Sequence, residues 1–328
     1  MAHLIRRQYI HPQLRLRGSL MRAVMPGMRS IGRCRVMNKM QAVLMAGHWK
    51  SDISDCREVN IPRADGSFLR MLVCTPKEKK DGVPGLLWIH GGGYSVGMPE
   101  QDRHFIDRFI KASGCAVVAP DYTLSAAKPY PAALDDCYQA LLWMKAHAAE
   151  LGVRDDQLFV GGDSAGGGLT AALCLYARDK GEVAIALQMP LYPMIDDRMD
   201  TPSMRGNDAP VWNEAKNRAG WKAYLGPLYG TATVPAYVAP ARVENLTGLP
   251  PTISFVGMID PFFSETLVYM ERLRKAGGQV WFRAYPGCYH AFDFMVPKSQ
   301  PAKNANAFLM DKFSFAVKHY FAPQPENT

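Results

Sequence analysis

The sequence predicts an α/β protein in which helices cover both faces of a mostly parallel β-sheet. From about residue 83 to 320, short and nearly continuous apolar runs alternate with segments whose apolar residues recur every three or four positions. The first pattern is typical of strands buried on both faces and the second of amphipathic helices. With 48% hydrophobic and 21% charged residues among 328, the chain can bury a sizeable core. Its apolar runs are shorter than the roughly 20 residues that span a bilayer.

Strand and helix patterns follow one another in a regular order. The strands 57–62 and 68–76 are expected to form an antiparallel pair at a sheet edge, because an Asp-Gly turn signal separates them. Further strands are expected at 83–90, 114–122, 156–164, 182–193, 250–260 and 279–287, with helices at 103–113, 131–151, 166–181, 262–276 and 303–320. Residues 196–248 lose the alternation, which indicates a lid-like insertion in a main domain spanning 57–322.

The N-terminal segment, residues 1–56, differs in composition from the rest of the chain. Its first 50 residues contain ten Lys and Arg, no Asp or Glu, and seven Met, whereas the remainder of the chain carries a net charge of −2. We interpret this basic, Met-rich segment as amphipathic helices that cap the main domain. Contact with anionic membranes and a targeting role are the alternatives. Nucleic-acid binding is not favoured, because no aromatic platform accompanies the charges.

The cysteines argue against a disulfide framework or a zinc site. The chain has seven of them, an odd number, without CxxC spacing. Buried reduced thiols and a cytoplasmic location are therefore the expectation.

A serine surrounded by glycines stands where a strand should turn into a helix. Residues Gly162-Asp163-Ser164-Ala165-Gly166 fit the pattern G-x-S-x-G in that context. Small residues on both sides would let strand and helix pass closely and expose the serine hydroxyl at the helix N-terminus. A phosphate-binding turn is the alternative, but Lys does not follow Gly166 as a P-loop requires. The next strand also lacks the terminal acid of a dinucleotide site.

A second glycine cluster follows the strand at 83–90. In His90-Gly91-Gly92-Gly93 the glycines leave backbone N–H groups unshielded, which suits an oxyanion hole completed by the N–H of Ala165. His90 itself is expected to brace this loop rather than to transfer protons.

A nucleophilic serine needs a base and a carboxylate that orients the base. Of eight histidines, His290 and His319 follow Ser164, and His319 falls in the final predicted helix. His290 lies in a loop after the last predicted strand, so we predict it to be the base. Asp260 ends the strand 250–260 and is the predicted acid, with Glu265 as the alternative.

These motifs resemble those of the hormone-sensitive-lipase-like esterases of the α/β-hydrolase fold, also called bacterial family IV. The resemblance rests on the HGGG and GDSAG motifs, on Asp260-Pro261, on His290 and on the stretch YPAALDD at 130–136. It implies that residues 57–322 form a catalytic domain capped by the N-terminal segment and the insertion. The sequence DPFFSE at 260–265 and LSAA at 124–127 depart from the family pattern without removing a predicted triad member.

The resemblance implies a serine carboxylic ester hydrolase that forms an acyl-enzyme and needs no metal or organic cofactor. The oxyanion donors would come from Gly91–Gly93 and Ala165. We expect small to medium acyl esters as substrates, in a pocket for which Met37, Met40, Trp212, Trp221 and Tyr224 are candidates. An amidase or deacetylase with the same triad is the alternative. A non-catalytic ligand-binding protein is disfavoured by the presence of His290. A homodimer and membrane contact by the N-terminus remain open.

Overall fold

One eight-stranded sheet organises the computed structural model, which describes residues 5–24, 30–47, 49, 51–78 and 80–325. Its strands are β1 (Ser54–Pro62), β2 (Phe68–Pro76), β3 (Val83–Ile89), β4 (Ala116–Pro120), β5 (Val153–Asp163), β6 (Leu187–Leu191), β7 (Thr252–Gly257) and β8 (Val280–Tyr285). They lie in the order β1-β2-β4-β3-β5-β6-β7-β8. Strands β3 to β8 run parallel to one another. Strand β2 pairs antiparallel with β1 and with β4.

Helices pack on both faces of the sheet, so the predicted fold class is confirmed. In chain order the described helices are α1 (Arg15–Val24), α2 (Ile31–Met45), α3 (Arg103–Ser113), α4 (Ala132–Ala146), α5 (Ala165–Lys180), α6 (Glu214–Leu225), α7 (Phe263–Lys275), α8 (Phe292–Met295) and α9 (Gln300–His319). The apolar side chains form two buried clusters, one on each face of the sheet. The short helix α8 is absent from the sequence prediction, because four residues carry no readable helical period.

The two N-terminal helices lie over the loops of the main domain. On α2, Asn38 Nδ2 donates to the carbonyl of Ser95 at 3.0 Å, and Gln41 Nε2 donates to Gln101 Oε1 at 3.0 Å. On α1, Arg22 donates to the carbonyl of Asp208 in the predicted insertion at 2.8 Å. The described part of the N-terminal segment thus contacts both the HGGG region and the insertion. None of the described helices is long and apolar enough to cross a membrane.

The structure corrects the expectation that all seven cysteines are reduced. Cys34, Cys115, Cys137, Cys174 and Cys288 are free and buried, in accordance with the reduced thiols predicted. Cys56 and Cys74, however, form a disulfide between β1 and β2. The antiparallel register places these two residues directly opposite each other, with Cα atoms 4.1 Å apart. Strand register depends on pairing between distant segments, so the spacing of cysteines in the sequence could not reveal the pair.

Candidate active site

The turn from β5 into α5 carries Ser164 in a strained backbone conformation. Its φ and ψ are 56° and −116°, a combination that L-residues rarely adopt. The flanking glycines are required sterically, because a Cβ atom on Gly162 would lie 2.4 Å from the carbonyl oxygen of Ile89, and one on Gly166 would lie 2.0 Å from the same oxygen. The glycines therefore make room for the end of β3. The sequence indicates only that they allow the strand and the helix to pass closely.

The structure brings Ser164, Asp260 and His290 into one hydrogen-bonded chain. His290 Nε2 lies 2.8 Å from Ser164 Oγ, and His290 Nδ1 lies 2.7 Å from Asp260 Oδ2. All three side chains are buried. Asp260 follows β7 and its Oδ1 accepts the N–H of Phe262 at 2.9 Å, which fixes the carboxylate orientation. An Nδ1–H donor facing Asp260 leaves Nε2 as the acceptor for the serine hydroxyl.

Glu265, the alternative acid, performs a different task. Its Oε1 accepts the backbone N–H groups of Ile195 at 2.9 Å and Asp196 at 3.3 Å, in the segment after β6. Burial raises its pKa well above the usual value. Glu265 thus anchors a loop, and the carboxylate that contacts His290 belongs to Asp260.

At Gly92 the HGGG loop adopts a conformation that residues with a side chain do not tolerate. Gly92 and Gly93 have φ values of +127° and +58°. A Cβ on Gly92 would lie 1.8 Å from the carbonyl oxygen of Val96. Ser95 and Val96 donate their N–H groups to the carbonyl of Gly92 at 3.1 Å, which closes the loop. Among the described residues, no acceptor binds the N–H groups of Gly92, Gly93 or Ala165, so these donors are free for a ligand oxygen.

A cavity of about 300 Å³ opens above Ser164 and His290. Gly91–Gly93 form part of its wall, and the remaining wall is mostly apolar. It includes Met37, Val96, Val211, Trp212, Lys216, Phe294 and Met295.

Of the five candidates for an apolar pocket, Met37 and Trp212 line this cavity, whereas Met40 is exposed. Trp221 and Tyr224 are buried against Tyr94 instead, with the two tyrosine rings stacked at 3.8 Å. Aromatic composition alone cannot distinguish a core residue from a cavity residue.

Comparison with known proteins agrees with this geometry. The family model described as alpha/beta hydrolase fold matches residues 86–294. The chain belongs to the α/β-hydrolase family. It is 32% identical to carboxylesterase NlhH of Mycobacterium tuberculosis over 69% of this chain and 73% of that protein. It is 28% identical to ethyl acetate hydrolase of Pseudomonas putida over 80% of this chain and 87% of that protein.

A solved structure extends the likeness to nearly the whole chain. A bacterial heroin esterase superimposes with a TM-score of 0.86 at 32% identity, covering 94% of this chain and 98% of that one. The prediction of a hormone-sensitive-lipase-like esterase is confirmed, and the hydrolase acts on carboxylic esters.

In this hydrolase His90 has a structural role, as the sequence suggested. Its ring is buried and stacks on Tyr122 with centroids 4.3 Å apart. His90 Nδ1 donates to the carbonyl of Gly91 at 2.8 Å. Burial lowers the pKa of His90 to about 4, so the ring stays neutral while it supports the glycine loop.

The hydrolase contains a buried pair of carboxyl groups that the sequence does not predict. The carboxyl groups of Asp163 and Asp102 lie against each other, and burial disfavours charge on both, so we expect the pair to retain a proton. Trp88 Nε1 donates to Asp102 Oδ2 at 2.9 Å, and the backbone of Gly91 lies against the Asp163 carboxyl. Burial raises the pKa of both groups above the usual value. Asp163 was visible within the GDSAG motif, but no sequence signal pairs it with Asp102.

Lys216 is the second residue of the hydrolase site that the sequence did not reveal. It lines the cavity from α6, and its Nζ donates to the carbonyl of Val211 at 2.7 Å. Burial lowers the pKa of this ammonium group. A basic group therefore borders a mostly apolar cavity wall, which also includes Gln101, Asp102 and Asp163.

Proposed function

We propose that Ser164, His290 and Asp260 are the catalytic residues of ester hydrolysis through an acyl-enzyme. His290 Nε2 accepts the hydroxyl proton as Ser164 Oγ attacks the ester carbonyl carbon. Asp260 holds the imidazole in the tautomer that leaves Nε2 free and stabilises the imidazolium that forms. The observation that carries this proposal is the continuous hydrogen-bonded chain from Ser164 Oγ through His290 to Asp260 Oδ2, with contacts of 2.8 Å and 2.7 Å.

The oxyanion of the tetrahedral intermediate would be bound by the backbone N–H groups of Gly92, Gly93 and Ala165. Each donor of this kind contributes about 100- to 1000-fold in rate, because it points at charge that develops in the transition state. We assign Gly91, part of the predicted hole, to holding Asp163 instead, since its backbone faces that carboxyl. His290 then protonates the leaving alcohol, and a water molecule activated by the same base hydrolyses the acyl-enzyme.

We propose small to medium acyl esters as the substrates. The cavity volume of about 300 Å³ lies at the low end of ligand sites, which run from about 300 to about 1,000 Å³. A relative named ethyl acetate hydrolase is consistent with a short acyl chain. The charge of Lys216 on the wall disfavours a long apolar chain, because the chain would further desolvate the ammonium group.

The first experiment compares hydrolysis of p-nitrophenyl acetate, butyrate and octanoate by the wild type and by Ser164→Ala. We expect turnover of the short esters by the wild type and loss of activity in the variant, because no other hydroxyl of the described residues contacts His290 Nε2. Ser67→Ala, at an exposed serine of the β1–β2 turn, is the matched control and should retain full activity. Activity that survives in Ser164→Ala would show that another group is the nucleophile.

A matched pair of substrates, one ester and one amide, distinguishes esterase activity from amidase activity. p-Nitroacetanilide is the amide counterpart of p-nitrophenyl acetate, and amidase chemistry needs a proton delivered to a poorer leaving group. We expect the ester to be hydrolysed with the higher kcat/KM. Equal or faster hydrolysis of the amide would favour the alternative amidase or deacetylase function.

We also propose a cytoplasmic location, which is supported by the five buried free thiols. In a reducing compartment Cys56 and Cys74 would be a dithiol in the cell and would pair only after lysis. Alkylation of intact cells with iodoacetamide, followed by mass spectrometry, tests this. Alkylated Cys56 and Cys74 would support the proposal, and a protected, disulfide-linked pair would contradict it.

A further inference from the structure

The N-terminal helices α1 and α2 present large apolar side chains to solvent. Eight of the thirteen exposed large apolar side chains in the described part of the chain lie between residues 9 and 44. We call six of them the apolar face. Its members, with their exposed fractions, are Leu16 (77%), Leu20 (52%), Val36 (67%), Met40 (60%), Val43 (79%) and Leu44 (67%). Exposed apolar side chains concentrated on two neighbouring segments of the chain are typical of an interaction site rather than of chance exposure.

The orientation of α2 is the reverse of that in an ordinary surface helix. Val36, Met40, Val43 and Leu44 recur at the i, i+4, i+7, i+8 spacing of one helical face, a face that normally packs on the core. Here the inward side combines the buried Cys34 and the half-buried Met37 with polar contacts. These are the Asn38 and Gln41 hydrogen bonds described above and a bond from Arg35 Nε to the carbonyl of Ala126 at 3.0 Å. These contacts hold the apolar face outward.

The same N-terminal segment carries exposed positive charges without salt-bridge partners among the described residues. Arg6, Arg7, Arg17, Arg33 and Lys39 are exposed, and none of them forms a salt bridge with another described residue. The first 50 residues contain no Asp or Glu that could neutralise them. A symmetric contact with a second copy would bring these like charges together, because the same patch meets itself across a two-fold axis. The charge therefore favours an anionic partner over self-association.

We propose that α1 and α2 dock the hydrolase on anionic lipid bilayers. Apolar side chains of an interfacial helix enter the boundary between headgroups and acyl chains, while flanking Lys and Arg contact anionic headgroups. Both components are present on the same two helices. Because Met37 of α2 lines the active-site cavity, docking through this helix places the cavity beside the lipid surface. The proposal concerns binding and does not depend on the assignment of the catalytic residues.

Vesicle co-sedimentation of the full-length protein tests the proposal. Large unilamellar vesicles of phosphatidylcholine with about 30% phosphatidylglycerol should bind the protein, and vesicles of phosphatidylcholine alone should bind it about tenfold more weakly. Raising NaCl from about 50 to about 300 mM should weaken binding, because salt screens the headgroup attraction.

Two double variants separate the apolar from the ionic contribution. Val36→Gln/Val43→Gln keeps the charge, and Arg33→Gln/Lys39→Gln keeps the apolar face. We expect each to lower the affinity for anionic vesicles about tenfold. Val268→Gln, at a 51% exposed valine of α7, is the matched control and should bind as the wild type does. Unchanged hydrolysis of p-nitrophenyl butyrate without vesicles would show that each variant is folded.

Failure to sediment with anionic vesicles would overturn the proposal, and so would equal binding to both lipid compositions. Light scattering measures the oligomeric state and tests whether the apolar face is instead a contact between two copies. If the wild type is a dimer that Val36→Gln/Val43→Gln converts to a monomer, and neither binds vesicles, the apolar face is a contact between two copies and the proposal is wrong.

Discussion

The buried carboxyl groups of Asp102 and Asp163 lie against each other beside the proposed nucleophile. Asp102 directly precedes α3, and Asp163 ends β5. Charge on both of two buried carboxyl groups in contact is strongly disfavoured, so we expect the pair to retain a proton. The contact joins the turn that carries Ser164 to the segment after the glycine loop.

The protonated pair predicts a pH dependence of stability that Asp102→Asn should reduce. Burial raises the pKa of Asp102 to about 7 in the folded chain, whereas the unfolded carboxyl loses its proton near pH 4. The folded state then binds more protons between these values, so the free energy of unfolding falls as pH rises from about 4 to about 7.

Urea unfolding between about pH 5 and about pH 8 measures this contribution. The stability of the wild type relative to Asp102→Asn should decline across this range, because the asparagine amide can accept from Trp88 and donate to Asp163 without a titrating proton. Asp311→Asn, at an exposed carboxyl on α9, is the control and should follow the wild type. Parallel stability curves for Asp102→Asn and the wild type would show that the pair holds no proton in this range.

Asp260→Asn and Glu265→Gln should differ sharply in activity. The first change disturbs the tautomer of His290 and should lower kcat by about 1,000- to 10,000-fold. The second keeps an oxygen that can accept the N–H groups of Ile195 and Asp196, so kcat should stay within about threefold of the wild type. Steady-state kinetics with p-nitrophenyl butyrate compares the two. Equal losses would assign Glu265 a direct part in catalysis.

Gly92→Ala should lower activity strongly, because its new Cβ clashes with the backbone, whereas the control variant Gly66→Ala creates no clash. The new Cβ would meet the carbonyl of Val96, and the displaced loop would misdirect the proposed oxyanion donors, so we expect kcat to fall by about 100-fold or more. Gly66 also has a left-handed backbone, with φ of +82°, but open space around its Cβ position. Gly66→Ala should cost about 1 kcal/mol of stability and leave kcat unchanged. Full activity in Gly92→Ala would contradict this role of the loop.

Lys216→Met should shift the preference for acyl length. Methionine matches the reach of lysine without its charge, so the ratio of kcat/KM for p-nitrophenyl octanoate to that for acetate should rise about tenfold. Lys222→Met, at an exposed lysine of the same helix, provides the comparison and should leave the ratio unchanged. An unaltered ratio in Lys216→Met would mean that the acyl chain does not approach this side chain.

The sequence by itself determined the strand and helix order, the fold class and the residues that form the hydrogen-bonded chain at the site. These features depend on local properties. Apolar periodicity marks each element, glycine spacing marks the turn at Ser164, and chain order leaves His290 and Asp260 as partners of the serine. Periodicity and glycine spacing can be read within a short window of residues, and chain order can be read along the whole sequence, both without knowledge of which segments meet.

The tertiary structure alone decided which distant residues touch. Strand register paired Cys56 with Cys74, and the packing of two loops paired Asp102 with Asp163. Packing also directed Glu265 to a backbone loop and turned the apolar side of α2 toward solvent. These outcomes depend on three-dimensional contacts between segments far apart in the chain, which hydrophobic periodicity does not encode. Periodicity predicts that a helix has an apolar face, and the contacts of the opposite face determine where it points.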